Sequence, residues 1–253
     1  MPESKKTDIS DANCVYLHNK LFIMQRLGKY QESDGMSFLI NDNYRILLVM
    51  SRFGIGLGFG DNTIDEVCRE NGVDTKTFLA IVNMLLDEDG LIDYSKAEVS
   101  IASLLFYLHN SHDYFLDFRL PVIRNELVDI LDNQPGELSQ AIIYYFDEYV
   151  SEVRKHMMYE EETVFPYVRA LLRGEKDKDY NVSIFGTQHD RIESRLHEFK
   201  NILIKYYPAK STNEINGLLF DIFNCESDLA SHNAIENRLF IPAITEYEQT
   251  LIK

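Results

Sequence analysis

Tryptophan is absent from this 253-residue sequence, cysteine occurs three times, and basic residues are scarce: 25 lysines and arginines stand against 41 aspartates and glutamates. The formal charge of −16 at pH 7 repels phosphate backbones, which excludes nucleic acid as an expected partner. Long apolar runs are also missing, since a run such as Ile46–Met50 is far shorter than a membrane span. The first residues lack the apolar core of a signal peptide. We therefore expect a cytoplasmic protein that makes no membrane contact.

The three cysteines are too widely spaced to form a local cysteine signature. Cys14, Cys68 and Cys225 include no Cys-x-x-Cys pair, which excludes a zinc ribbon and a locally encoded iron–sulfur cluster. So few cysteines also exclude a disulfide scaffold, as expected for a protein of a reducing compartment.

The apolar periodicity is helical along most of the chain, and strand-like alternation is scarce. Residues 1–34 are a leader that contains one candidate amphipathic helix, at Asp11–Leu27. Residues 35–95 are predicted to form a small helical domain, and residues 96–253 a bundle of four long helices. The bundle helices are predicted at about 97–131, 137–173, 181–207 and 212–250. The sequence thus predicts an all-α fold, in which an up-and-down four-helix bundle follows a small helical domain.

Local signals set the helix ends expected in the small domain. Thr63, with Glu66 three residues later, has the pattern of a capping box. Asp74 or the residue after it starts the next helix. Gly54 is expected to end the helix predicted at 43–53 in a left-handed conformation. The glycine-rich run that follows has no strand before it, so it is predicted to be a tight helix connection and not a dinucleotide-binding loop.

Six of the seven histidines follow residue 108, and two of them belong to the same short pattern. His156 is followed by Glu160 and His232 by Glu236, four residues later in each case. Residues at i and i+4 lie on one face of an α-helix, so each pair can direct an imidazole and a carboxylate to one centre. A proline follows each histidine by ten residues, which makes the two segments an internal repeat 76 residues apart. Two bundle helices that face the same site are expected to repeat in this way.

The other two bundle helices also carry histidines. His109 and His112 share a face of the first helix at i and i+3, and His189 lies on the third. Five imidazoles with two carboxylates are a ligand set suited to iron, manganese or zinc. Seven ligands are too many for one ion, but with two bridging carboxylates and a bridging oxide they leave about one position open on two six-coordinate ions. That position suits a small molecule such as O₂ or NO.

Other interpretations of these residues stay open at this point. A single histidine–glutamate pair at this spacing is typical of a helix surface, and a helical interaction protein with structural histidines needs no metal. Glu161 and Glu162 are expected to be solvated, although either replaces Glu160 as the ligand if the helix phase differs. His197 is expected at the surface or at the bundle end. The sequence contains no Glu-x-x-His, which disfavours the carboxylate site of ferritin-like bundles.

Three segments resemble ligand-bearing segments of the hemerythrin-like cation-binding (HHE) domains, and more closely those of the repair-of-iron-centres (RIC) family. They are His156-Met-Met-Tyr-Glu160-Glu161 with Phe165-Pro166, Gln188-His189-Asp190, and His232-Asn-Ala-Ile-Glu236-Asn237 with Phe240 and Pro242. The resemblance covers about residues 36–250 and implies two iron ions bridged by an oxide and by carboxylates. The ligands that it implies are His156, His189 and His232 as terminal ligands, Glu160 and Glu236 as bridges, and His109 and His112 from the first helix.

The resemblance implies a role in the response to nitric oxide or oxidative stress and in the repair of damaged iron–sulfur proteins, with O₂ or NO as the small ligand. One segment departs from that family. Where its small domain carries adjacent cysteines, this sequence has Gly56-Leu57-Gly58-Phe59-Gly60. The alternative function is therefore a sensor of O₂, NO or redox state that signals through the small domain and repairs nothing. The oligomeric state stays open.

Overall fold

The computed structural model describes residues 30–87, 92–132, 136–175, 182, 189–208 and 212–251. Within these ranges the chain is mostly helical and forms no strand, and one isolated bridge pairs Gly35 with Thr63. The prediction of an all-α fold is therefore confirmed. The leader helix predicted at Asp11–Leu27 lies outside the described residues. None of the described helices is both long enough and apolar enough to cross a membrane.

Residues 35–95, predicted to be a small domain, contain four short helices in their described part: α1 (Met36–Asp42), α2 (Ile46–Arg52), α3 (Ile64–Glu70) and α4 (Thr75–Leu86). The capping box before α3 is confirmed, because the Glu66 N–H donates to the Thr63 hydroxyl at 3.3 Å and the Thr63 N–H donates to the Glu66 carboxylate at 2.8 Å. Asp74 caps α4 by accepting the Thr77 N–H at 2.8 Å. Gly54 follows α2 with a φ of 73°, the left-handed conformation that was predicted.

The bundle is built from seven α-helical segments. They are α5 (Ile101–Asp113), α6 (Leu120–Asp132), α7 (Glu137–Tyr159), α8 (Phe165–Leu172), α9 (His189–Tyr206), α10 (Thr212–Ile235) and α11 (Ile241–Thr250). The first bundle helix consists of α5 and α6, the second of α7 and α8, the third of α9, and the fourth of α10 and α11. Each bundle helix packs against two neighbours, so the four close into a ring. The observed bounds agree with the predicted ones to within a few residues, and the third helix is described from His189 onward.

A π-helical segment interrupts three of the four bundle helices. These segments are Tyr114–Arg119, Glu160–Val164 and Glu236–Phe240. The sequence analysis predicted uninterrupted helices at these places. A π-helical turn is rare and occurs mostly at functional sites. Two of the segments begin at predicted ligands and the third begins two residues after His112, so the irregularities lie at the level of the candidate site.

Two apolar clusters fill the interior of the described residues. One joins the small domain to the near end of the bundle and includes Leu108 and Val164. The other fills the rest of the bundle and includes Phe115 and Met157. His112 lies between Leu108 and Phe115 on the first bundle helix, and the predicted glutamate ligand of the second lies between Met157 and Val164. A layer of polar side chains therefore crosses the bundle between the two clusters.

Candidate metal centre

The polar layer consists of five buried side chains from three bundle helices: His112, His156, Glu160, His232 and Glu236. In four of them, His112, Glu160, His232 and Glu236, one ligand atom from each lies within 4.8 Å of the others. Glu160 and Glu236 are fully buried, each with 0% of its surface exposed. A buried carboxylate is costly unless it is paired or coordinates a metal ion. The convergence of these atoms therefore calls for a cation or a set of protons at this place.

Glu160 lies between histidines of two different bundle helices. Its Oε2 is 2.9 Å from Nε2 of His112, and its Oε1 is 2.8 Å from Nε2 of His156. In the fourth bundle helix, Oε1 of Glu236 is 3.2 Å from Nε2 of His232. Both histidine–glutamate pairs of the sequence repeat thus face the bundle interior. The Glu160 carboxylate thus lies between imidazoles of the first and second bundle helices.

Some buried atoms of the polar layer make no hydrogen bond. Among the described residues, both ring nitrogens of His232 are buried without a hydrogen-bond partner. Buried polar groups are normally satisfied, and exceptions call for an explanation. Imidazole nitrogens and carboxylate oxygens are the donors that iron, manganese and zinc share. The residues present therefore fit a metal centre, which would satisfy these atoms together.

Glu161 holds His112 from the side opposite Glu160. Nδ1 of His112 is 2.8 Å from Oε1 of Glu161, and since a carboxylate only accepts, Nδ1 carries the proton. Nε2 is then left to face the polar layer, the arrangement by which an outer carboxylate orients a metal-binding histidine. From the sequence, Glu161 was expected to be solvated or to replace Glu160 as a ligand. The position of Glu161 directly after the predicted ligand Glu160 was the one sequence signal that could have indicated that it orients His112.

The pKa values of His112 and Glu161 reflect the same contacts. Burial lowers the pKa of His112, but the contacts with Glu160 and Glu161 and the charge of Glu236 outweigh burial and raise it to about 9. Burial raises the pKa of Glu161, whereas its hydrogen bonds with His112 and His109 lower it below the usual value. Without metal, the site therefore holds a proton on His112 at neutral pH.

Two of the predicted ligands lie elsewhere or outside the described side chains. The His109 side chain is 44% exposed, with Nδ1 3.0 Å from Oε1 of Glu161 and Nε2 3.8 Å from Oδ2 of Asp113. It thus lies on the outer side of Glu161 and away from the polar layer. The His189 side chain lies outside the described part of the chain, although its backbone begins α9. His197 is 62% exposed and lies near Glu226.

Aromatic rings enclose the polar layer. Phe165 stacks on the His112 imidazole with ring centroids 5.3 Å apart and planes 6° from parallel. Phe115 meets the His232 imidazole edge-on at 5.9 Å, and the two imidazoles of His112 and His232 are 5.1 Å apart. Such an apolar surround limits the access of water and adjusts the properties of a bound metal.

Comparison with known proteins agrees with this geometry. A family model described as the hemerythrin HHE cation-binding domain matches residues 103–244, which is more than half of the chain. The matched range contains every residue of the polar layer. No curated protein matches the chain.

Proposed function

The chain belongs to the hemerythrin HHE cation-binding domain family, and from this premise we propose that its polar layer binds two iron ions. The observation that carries the proposal is the fully buried Glu160 carboxylate, whose two oxygens lie 2.9 Å from Nε2 of His112 and 2.8 Å from Nε2 of His156 on another helix. A second carboxylate, Glu236, lies with His232 on the opposite helix. Two buried carboxylates among histidines support a pair of cations better than one.

The proposed ligands are the five side chains of the polar layer together with His189. We infer that Glu160 and Glu236 are the bridging carboxylates, as the resemblance to the RIC family implies. His109 is proposed to act outside the ligand set, because it is half-exposed and donates to Glu161. When bound, the iron pair supplies an open position for O₂ or NO. The protein contributes the rest: Glu161 orients His112, and Phe115 and Phe165 exclude water.

The proposed biological role is protection against nitric oxide or oxidative stress, with repair of damaged iron–sulfur proteins as the specific activity. Support comes from the resemblance of the ligand segments to the RIC family. The small domain weakens that support, since the loop at 56–60 contains glycines where that family has cysteines. The thiols of Cys68 and Cys225 do not replace them, because both residues are buried.

A second candidate function is a sensor of O₂, NO or redox state. One observation favours it: the small domain and the near end of the bundle share one apolar cluster. A structural change at the iron ions would then alter the packing of the small domain. The small domain would in turn change its interaction with a partner. Repair and sensing differ in what happens to a damaged enzyme. Iron-loaded protein is expected to restore a peroxide-damaged iron–sulfur enzyme if it repairs, and to leave it inactive if it senses.

The test of the metal centre itself is the iron content of the purified full-length protein after anaerobic reconstitution. Elemental mass spectrometry is expected to give about two irons per chain, and the visible spectrum of the oxidised sample to show the bands of an oxo-bridged pair. One iron per chain would contradict the paired centre. No iron would contradict the metal centre altogether and favour a helical interaction protein.

A further inference from the structure

Arg52 is the last residue of α2, and its side chain extends from the small domain into the bundle. Its residue surface is only 3% exposed, so its charge is removed from water. Its Nη1 and Nη2 donate to the two carboxylate oxygens of Asp228 at 2.8 and 2.6 Å, and Nη1 also lies 3.2 Å from the Tyr107 hydroxyl. The backbone carbonyl of Arg52 accepts a hydrogen bond of 2.7 Å from the Asn110 side chain. Among the described residues, Arg52 thus ties the small domain to the first and fourth bundle helices.

Two residues in contact with Arg52, Asp228 and Phe115, lie close to His232 of the polar layer. Asp228 precedes His232 by one helical turn on α10. The guanidinium carbon of Arg52 lies 5.1 Å from the ring centroid of Phe115, and that ring meets the His232 imidazole. Arg52 therefore acts on both sides of His232, through the turn that precedes it and through the aromatic ring against it.

Stability alone does not account for a pair of this kind. A buried arginine–aspartate pair loses the hydration of both charges, and apolar residues of similar volume often stabilise a fold as well or better. The pair instead fixes the relative orientation of its two side chains, because the guanidinium fork fits a carboxylate in one geometry only. A fixed Asp228 side chain, one helical turn from the proposed ligand His232, helps to position that ligand. Metal ligands must be held to within a fraction of an ångström.

We propose that Arg52 of the small domain is a positioning residue of the metal centre: by holding Asp228 and Phe115, it sets the direction of the His232 imidazole. This inference rests on the proposed function. It assigns to the small domain a task that the bundle cannot perform alone, which is to complete the alignment of a ligand on the fourth bundle helix.

The test compares full-length variants for Fe(II) affinity and for the visible spectrum of the oxidised protein. Arg52→Met is expected to lower the affinity at least tenfold and to shift the bands. The double variant Arg52→Met/Asp228→Leu removes both buried charges, so it is expected to fold at least as well as Arg52→Met and to keep the shifted bands. If Arg52→Met does not fold, the double variant alone decides the question.

The control is Leu131→Ala, which opens a cavity about 28 Å along the first bundle helix from His112. It is expected to lower the midpoint of thermal unfolding while the affinity and the bands stay unchanged. A double variant with the affinity and bands of the wild type would overturn the proposal and leave Arg52 as a structural anchor. Wild-type protein that takes up no iron would instead contradict the proposed function, and this inference with it.

Discussion

Glu160, Glu161 and Glu162 are consecutive in the chain, but the structure gives each a different relation to the metal centre. Glu160 is fully buried and contacts histidines of two bundle helices. Glu161 is 18% exposed and orients His112 from outside the polar layer. Glu162 is exposed. Substitution by alanine therefore removes a proposed ligand at Glu160, a contact of His112 at Glu161 and an exposed charge at Glu162.

The structure sets the order and the rough size of the three effects. Removing an outer hydrogen bond to a metal-binding histidine costs about 10- to 100-fold in metal affinity, or about 1.4–2.7 kcal/mol, so Glu161→Ala is expected in this range. Glu160→Ala removes a ligand that the structure places between two histidines, so its loss is expected to exceed about 100-fold. Glu162→Ala is expected to leave the metal affinity unchanged, since the Glu162 carboxylate is exposed and its charge is screened by the solvent.

The assay is equilibrium dialysis of each full-length variant against a series of Fe(II) concentrations without oxygen, followed by elemental mass spectrometry. The midpoint of thermal unfolding of each metal-free variant controls for folding. An affinity loss in Glu162→Ala as large as that in Glu160→Ala would refute the assigned helix phase. A loss in Glu161→Ala that exceeds the loss in Glu160→Ala would show that Glu161 is the ligand.

Four further predictions concern the pH dependence of metal affinity, the pH dependence of stability, the thiols and the small domain. Because the pKa of His112 is raised from 6.5 to about 9, metal must displace its proton, so the Fe(II) affinity is expected to rise up to about tenfold per pH unit between pH 6.5 and 8.5; a flat titration would contradict this. The same raised pKa stabilises the metal-free protein fully below pH 6.5, and that stability is lost as the pH rises through about 9, which urea titrations at several pH values would detect. Burial raises the pKa values of Cys68 and Cys225 to about 12, so in a Cys14→Ser background neither thiol is expected to react with a thiol reagent at pH 8 until the protein is denatured; prompt reaction of the native protein would show that the cysteines are accessible. Thr63→Ala removes the capping box of α3 and is expected to cost about 1 kcal/mol, which an unchanged unfolding midpoint would disprove.

The fold was predictable where local chemistry and periodicity agreed. Thr63 with Glu66 marks a helix start because its side-chain contacts span only three residues. Gly54 marks a helix end because a left-handed residue costs glycine nothing. The π-helical segments at the level of the polar layer were not predicted from the sequence. The residues that begin these segments, such as Glu160 and Glu236, have no local pattern that distinguishes them from α-helical residues.

The candidate site was predictable to the level of a helix face and no further. The i, i+4 spacing correctly directs His156 with Glu160 to one face, and both are buried in the structure. The i, i+3 spacing of His109 and His112 predicts equal roles, but the structure buries one and leaves the other half-exposed. The difference depends on how the first bundle helix is rotated against the second. The position of Glu161 in the structure reveals this rotation, but the sequence of a single helix does not contain it. The ligand role of each residue stays a prediction until metal is measured.

The polar layer between the two apolar clusters also bears on how iron could enter a site that is shut off from solvent. Apolar contacts are interrupted there, and three helices carry π-helical segments at the same level, so this is where the described bundle is least held by packing. Local opening at this level would expose the buried polar side chains without unfolding either apolar cluster. In the metal-free protein, amide hydrogen exchange is expected to be faster around the layer than in either apolar cluster, and a bound metal ion is expected to slow it. The polar layer thus separates two apolar clusters of the described residues, and a metal ion bound there would link them.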